Sequence, residues 1–432
     1  MNEFAVCPTA GRDRRVSSVS SMVATAAKLD SGPTVVVPPA SYMASTIPET
    51  MAIARAHTDH TIMDDEISSD DESSTPISTV VPTYAFAFDI DGVLLAGGEV
   101  IPGAKEAMRV LNGENPDGIK VPYIFVTNGG GKTEQERCLD LSKQLGVSVS
   151  PGQFICGHTP MREMAEKYGT VLVVGGEGEK CRNVAEGYGF NDVVTPGDIM
   201  KWKSAVTPFR NLTDDEHKNS RDRDFSQVEI EAIFVFADSR FWGDDTQIIL
   251  DLLMSKNGRM GTLSDTFDEG PPIYFSHNDV VWATNFGLNR LGMGALRVFI
   301  EALYKERTGK TLKSATSFGK PQVGTFQYAT RVLEQWREDV FGEEGPPKTV
   351  YFVGDTPESD IRGTNEFHKH VDEEWYSILV KTGVYQSGTE PRHKPRVIVD
   401  NVLDAVKHGM ERSRKAALKE MEELNNGVAV QK

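Results

Sequence analysis

The residues best equipped for chemistry begin at Asp89-Ile90-Asp91-Gly92. On an extended backbone Asp89 and Asp91 project to the same side, because side chains alternate with period two. Like charges this close resist joint ionisation. They call for a cation, a shared proton, or both. Thr127-Asn128, followed by Gly129-Gly130-Gly131-Lys132-Thr133, adds a hydroxyl and a run of backbone amides at a strand end, a combination suited to phosphate. Lys320 stands ahead of a helix-like run, where its charge does not favour the macrodipole, and so points to an anion elsewhere. Asp355, with Asp360 close behind, brings acid to another strand end. Oxygen donors of this kind select a hard cation, usually Mg²⁺ completed by water and phosphate oxygens. Nothing soft or nitrogen-rich is offered to zinc.

A Mg²⁺ beside a carboxylate, with a lysine and a hydroxyl nearby, is a set for phosphoryl transfer, where positioning and charge stabilisation do most of the work. A covalent aspartyl phosphate would split the reaction into easier steps. A neighbouring carboxyl can protonate the leaving alcohol and later activate water. Ser276-His277-Asn278-Asp279 reads two ways: a turn punctuated by Asn278-Asp279, or a substrate-facing loop. The glycine-rich stretch before Lys132 also mimics a P-loop, but the first glycine of that motif would fall at Val126. A second glycine-rich turn, Gly175-Gly176-Glu177-Gly178, would need its last dinucleotide-binding glycine at Cys181, and reads instead as a packing unit.

Holding these groups together requires a sheet. Phe86-Ala87-Phe88 runs into the first acid as a buried strand would, and Gly92 permits a sharp exit. Strand-like and helix-like runs alternate from Tyr84 onward, the signature of a doubly wound parallel sheet, whose ligands bind at the carboxyl edge. Strands are expected at Pro122–Val126, Thr170–Val174, Ala232–Phe236 and Thr349–Gly354, with a final one from Ser377 toward Val384. Helices are expected over Ala104–Leu111, from Gly292 through Tyr304, and over Val323–Trp336. The polar stretch Asn211–Asp224 reads as a surface loop.

At 432 residues the chain is long for one core, so two domains with tails are expected. No apolar run reaches the roughly 20 residues that span a bilayer. A net charge of -17 argues against nucleic acid as a partner, and an anionic substrate would need a local metal or local lysines. Cys7, Cys138, Cys156 and Cys181 form no CxxC pair and read as reduced thiols of an intracellular protein. Residues 1–82 are rich in Ser, Thr, Ala and Pro and include the acidic run from Asp64 to Ser74; they read as a disordered tail. Arg12, Arg14, Arg15 and Lys28 lend the first residues some transit-peptide character, which Glu3 and Asp13 interrupt, and no secretory signal is visible. At the other end Leu403, Val406, Met410, Leu418, Met421 and Leu424 recur at helical spacing, as in an amphipathic closing helix.

Asp89-Ile90-Asp91-Gly92-Val93-Leu94, Thr127-Asn128, Lys320-Pro321 and Gly354-Asp355 with Asp360 resemble, in this order, the four motifs of the haloacid dehalogenase (HAD) superfamily. Asp91-Gly92-Val93-Leu94 with Ile101-Pro102-Gly103-Ala104 resembles its class IIA members. His158-Thr159-Pro160-Met161, Ser276-His277-Asn278-Asp279 and Thr308-Gly309-Lys310 are similar to the branch of the cat-eye-syndrome-critical-region protein 5. The resemblance spans about Thr83 to His408. It implies an α/β fold: a HAD-type core over 83–149 and 291–408, an inserted α/β cap of type C2 over 150–290, and a C-terminal helix or tail over 409–432.

The same resemblance implies Asp89 as nucleophile and Mg²⁺ ligand, and Asp91 as general acid/base whose backbone carbonyl also binds Mg²⁺. Thr127 and Asn128 would hold the phosphoryl oxygens, and Lys320 would neutralise the nucleophile and the transferring group. Asp355 would ligate Mg²⁺, with Asp360 supporting it from behind. Motif two departs from class IIA custom, since Gly129-Gly130-Gly131 replace the usual Asn-Ser. The implied activity is Mg²⁺-dependent hydrolysis of a phosphate monoester, on a small phosphorylated metabolite or a lipid headgroup, with a link to glycerophospholipid metabolism. The implied location is mitochondrial, otherwise cytoplasmic, and not secreted. Two other readings stay open: a HAD-fold binding or scaffold protein without turnover, and a P-loop-like nucleotide hydrolase that uses Lys132.

Overall fold

A computed structural model describes residues 81–430. The tail expected over 1–82 lies outside the described residues, save its last two.

Phe86 and Phe88 point to one face of the strand Tyr84–Phe88, and Ala85 and Ala87 to the other. On the first face the two phenyl rings stack 5.6 Å apart, and Phe86 meets Tyr351 at 5.1 Å. On the second the alanines leave room for Phe326, Phe352 and Trp375. Burial on both faces is what a central parallel strand demands. Six parallel strands form this sheet, in the spatial order Val397–Val399, Glu374–Val380, Thr349–Gly354, Tyr84–Phe88, Tyr123–Val126 and Phe154–Ile155. The helix Ala104–Leu111 covers the phenylalanine face and buries Ala104, Ala107, Met108 and Leu111, one stripe at helical spacing. The helix Val323–Phe341 covers the alanine face through Phe326, Ala329 and Leu333.

A second parallel sheet of five strands runs in the order Ala315–Ser317, Ile273–Phe275, Ala232–Val235, Thr170–Val174 and Asp192–Val194. The helix Met293–Thr308 packs into its apolar cluster through Met293, Leu296, Ile300 and Tyr304. The division expected at residue 290 therefore differs from the pairing: helix Met293–Thr308 and strand Ala315–Ser317 belong with the second sheet. The reason is that Ala315-Thr316-Ser317 is too short and too polar to announce itself as a strand.

Two other expectations change. The Asn211–Asp224 stretch holds a helix, Asp214–Asn219, whose capping box pairs Thr213 with Glu216; it buries no side chain, which is why its polar composition resembled a loop. The strand near Ser377 is Glu374–Val380, and it is not the last, because the edge strand Val397–Val399 follows. The closing helix spans Val402–Val430. Val402, Ala405 and Val406 are buried, and Arg412 reaches both oxygens of Glu374 at 2.8 Å. Leu418, Met421 and Leu424 are exposed.

Candidate active site

The strand Tyr84–Phe88 lies between Thr349–Gly354 and Tyr123–Val126, so the chain leaves it toward one neighbour and returns on its other side. That reversal opens a crevice at the carboxyl edge. Asp89, Thr127 and Asp355 are each the first residue past one of these strands. Lys320 arrives between strand Ala315–Ser317 and helix Val323–Phe341. Its Nζ lies 3.0 Å from Asp89 Oδ2 and 2.8 Å from Asp360 Oδ1, and all three residues are buried. Asp89 Oδ1 accepts from Ile90 N at 2.7 Å. Asp360 Oδ2 accepts from the amides of Asp355 and Thr356, both at 3.0 Å. Asp355 Oδ2 accepts from Val384 N at 2.6 Å. A Cβ on either Gly92 or Gly383 would overlap the Asp355 carboxylate, so glycine at both positions lets backbone close around that acid.

Burial raises the carboxyl of Asp89 well above its usual range, with Lys320 pulling the other way. Burial, then Asp360, pushes Asp355 up to about 7. Burial draws the Lys320 ammonium down, but Asp360 and Asp89 outweigh it and hold the proton on. If all ionise, Asp89, Asp355 and Asp360 set three negative charges against the one positive charge of Lys320. One carboxylate oxygen from each of the three lies within 4.8 Å of the others. An all-oxygen cluster with two negative charges in excess fits a hard divalent cation.

The haloacid dehalogenase-like hydrolase family matches residues 86–191, and a HAD-hydrolase-like family matches residues 317–405. A mitochondrial hydrolase of Saccharomyces cerevisiae is 40% identical over 356 residues, covering 77% of this chain and 97% of that protein. The chain belongs to the haloacid dehalogenase-like hydrolases. A cardiolipin synthase (CMP-forming)/mitochondrial hydrolase fusion protein of Schizosaccharomyces pombe is also 40% identical, over 350 residues. That match covers 80% of this chain and 56% of the fusion protein, so the chain spans only about half of that relative. Among solved structures, a "possible sugar phosphatase, HAD superfamily" from Cytophaga hutchinsonii superposes with a TM-score of 0.51 at 18% identity, over 76% of this chain and 97% of that one. It shares the fold.

The remaining predicted residues of this HAD-like hydrolase separate by contact. Thr127 Oγ1 accepts from Gly129 N at 3.0 Å and keeps its own proton free to donate. Asn128 is a strut: its Oδ1 accepts from Lys320 N at 2.8 Å, and its Nδ2 donates to Lys320 O at 3.1 Å and to Asp279 Oδ2 at 2.8 Å. Within the loop after Ile273–Phe275, only Asp279 reaches the motif residues directly. His277 stands beside it, with Nδ1 3.7 Å from Asp279 Oδ2 and Nε2 3.9 Å from Asp238 Oδ2. Ser276 is buried and donates to Phe236 O at 3.0 Å, while Asn278 accepts from Arg297 at 2.6 Å. Lys132 pairs with Asp140 at 2.5 Å, outside the aspartate cluster where Lys320 sits. Asp91 is raised by burial, held down by Arg137 and Lys320, and raised again by Asp238.

Asp238 and Arg137 were missed from sequence, as was a buried junction of Glu134, Cys156, His158 and Tyr188. Tyr188 Oη donates to Glu134 Oε1 at 2.5 Å and lies 2.7 Å from His158 Nδ1. The His158 ring also donates to the backbone carbonyl of Lys132. Burial lowers His158 to about 4, so the ring is neutral, and it stacks on Phe236 at 5.4 Å. The His158-Thr159-Pro160-Met161 motif was one available signal for this junction; Tyr188 carried none.

Proposed function

We propose that this HAD-like hydrolase is a Mg²⁺-dependent phosphatase that cleaves a phosphate monoester through an aspartyl phosphate. The observation that carries the reading is the buried ammonium of Lys320 between Asp89 and Asp360, with Asp355 beside them and Asp91 one residue beyond the nucleophile's neighbour. Asp89 Oδ attacks phosphorus while the bond to the ester oxygen breaks. Asp91 gives its proton to that oxygen, and the alcohol departs. Water then attacks the phosphoryl group on Asp89, Asp91 takes up the water's proton, and inorganic phosphate leaves with Asp89 restored. The raised carboxyl of Asp91 supports its carrying the first proton. Lys320 keeps the attacking carboxylate charged and held in place, and Thr127 donates to a phosphoryl oxygen. Asn128 positions Lys320 and Asp279 rather than spending its amide on phosphate.

Asp89, Asp355 and the backbone carbonyl of Asp91 would hold Mg²⁺, which supplies positive charge against the phosphoryl oxygens. A small phosphorylated metabolite or a phospholipid-derived headgroup is the proposed substrate. The name of the Schizosaccharomyces pombe fusion protein supports the lipid link, and both relatives' names support a mitochondrial site of action. The P-loop alternative has less support, because Lys320, and not Lys132, is the lysine seated in the aspartate cluster. Purified protein should hydrolyse members of a phosphate-ester panel with Mg²⁺ and lose that turnover in Asp89→Asn. Wild-type turnover in Asp89→Asn, or none by the wild type across the panel, refutes the phosphatase reading.

A further inference from the structure

The chemistry above uses only one wall of a cavity in the core, the wall formed by Asp91 and Thr127. It is a half-open cleft of about 140 Å³ beside the glycine-rich loop, lined by Asp91, Thr127, Gly129, Lys132, Arg137 and Phe154, among others. A water's share of liquid volume is about 30 Å³, so one tetrahedral or planar anion fits. Two cationic side chains are among its lining residues. Lys132 is tethered by Asp140 at 2.5 Å. Arg137 extends from helix Glu134–Leu145 and is half-buried. Its guanidinium makes no hydrogen bond or ion pair among the described residues, and its charge acts on Asp91. A free fork of N–H donors beside a cavity is matched to phosphate or carboxylate.

Asp91 forms part of the same wall, and this decides what the cavity is for. In the proposed reaction Asp91 protonates the leaving oxygen, so whatever that oxygen carries extends away from Asp91. We propose that Lys132 and Arg137 form a subsite for a second anionic group, phosphate or carboxylate, borne by the leaving alcohol. The substrate class is thereby narrowed to phosphate monoesters that carry another anion a few bonds away; the inference rests on the phosphatase reading. A bare solvated arginine would be the ordinary alternative, but it would not need a cavity shared with the proton donor. In a chain of net charge -17, a doubly anionic ester would also need such local cations to be held.

The test uses full-length protein with Mg²⁺ and a matched series of esters. Glycerol 3-phosphate has a neutral leaving group, 3-phosphoglycerate adds a carboxylate, and 1,3-propanediol bisphosphate adds a phosphate. The wild type should favour one or both charged esters over glycerol 3-phosphate by tenfold or more in kcat/KM, and the better of the two names the anion. Arg137→Gln should reduce that preference at least tenfold, chiefly through KM, and Lys132→Gln should reduce it in the same direction. Absence of preference in the wild type, or an unchanged preference in both variants, overturns the subsite. Should no ester be turned over, the phosphatase reading falls instead. Calorimetric binding of the bisphosphate against the monophosphate then decides the subsite alone: tighter bisphosphate binding that Arg137→Gln abolishes supports it, and equal binding overturns it.

Discussion

At the scale of single residues, Lys320 is the group on which the buried acids depend. Its ammonium is within ion-pair distance of both Asp89 and Asp360, and all three residues are buried. Removing one partner of a buried ion pair strands the others without a counter-charge, which costs about 3–5 kcal/mol. Lys320→Met should therefore lose about that much stability in urea unfolding and all turnover. Adding Asp360→Asn to it should recover part of the stability. A loss under 0.5 kcal/mol would show that the aspartates simply take up protons. Asp355 gives a second prediction. Its proton is held up to about 7 in the folded, metal-free protein against an ordinary 3.8, so the folded state binds the extra proton. Stability from this group is complete below about 4 and is lost as pH rises toward 7. A divalent cation needs the ionised form, so the rise in Tm caused by Mg²⁺ should be larger at pH 8 than at pH 6. A larger rise at pH 6 would mean that Asp355 does not face the metal. Asp89, Asp91, Asp355 and Lys320 were legible in sequence because each stands in a short contiguous motif at the end of an apolar run or ahead of a helix. The strut Asn128 was legible as a residue but not as a strut, since its partners lie 151 and 192 residues away.

At the scale of elements, the two sheets meet at the Glu134–Tyr188–His158 junction. Glu134 opens the core helix Glu134–Leu145, and Tyr188 closes the helix Lys180–Gly187 that packs on the second sheet. Thr159 and Arg162 also reach Glu134 Oε1, at 3.0 and 3.4 Å. Tyr188→Phe keeps the ring and removes the hydroxyl, which takes a donor at 2.5 Å from the buried Glu134 Oε1 and a partner at 2.7 Å from His158 Nδ1. An unpaired buried polar group costs about 1–3 kcal/mol. Urea unfolding of Tyr188→Phe should show a loss in that range, and a change under 0.5 kcal/mol would indicate that the phenol contributes only packing. Such a junction hides from sequence because no local spacing links Glu134, His158 and Tyr188. Element positions fared better where the apolar period was long. Ala104–Leu111 was found to the residue, whereas Ala315–Ser317 and Val397–Val399, three residues each and partly exposed, gave no periodicity to read.

At the scale of the whole molecule, the net charge of -17 and the chemistry pull against each other. A phosphate ester approaches a surface whose summed field repels it, and the cations nearest the site do little to offset this at a distance. Lys320 is buried among aspartates and Lys132 is paired with Asp140, and Arg137 stands beside Asp91 with no ion-pair partner among the described residues. Repulsion between exposed charges weakens with salt, since the Debye length shrinks to about 10 Å at 0.1 M ionic strength. Raising NaCl from 20 to 200 mM at constant free Mg²⁺ should therefore increase kcat/KM for an anionic ester, by roughly twofold, in contrast to enzymes with a basic funnel, which slow down. The increase should appear in kcat/KM and not in kcat, because screening alters the encounter and not the buried ion pairs. A decrease with salt would mean that Arg137 and Lys132 set the local field at the entrance more strongly than the acidic surface sets it from afar.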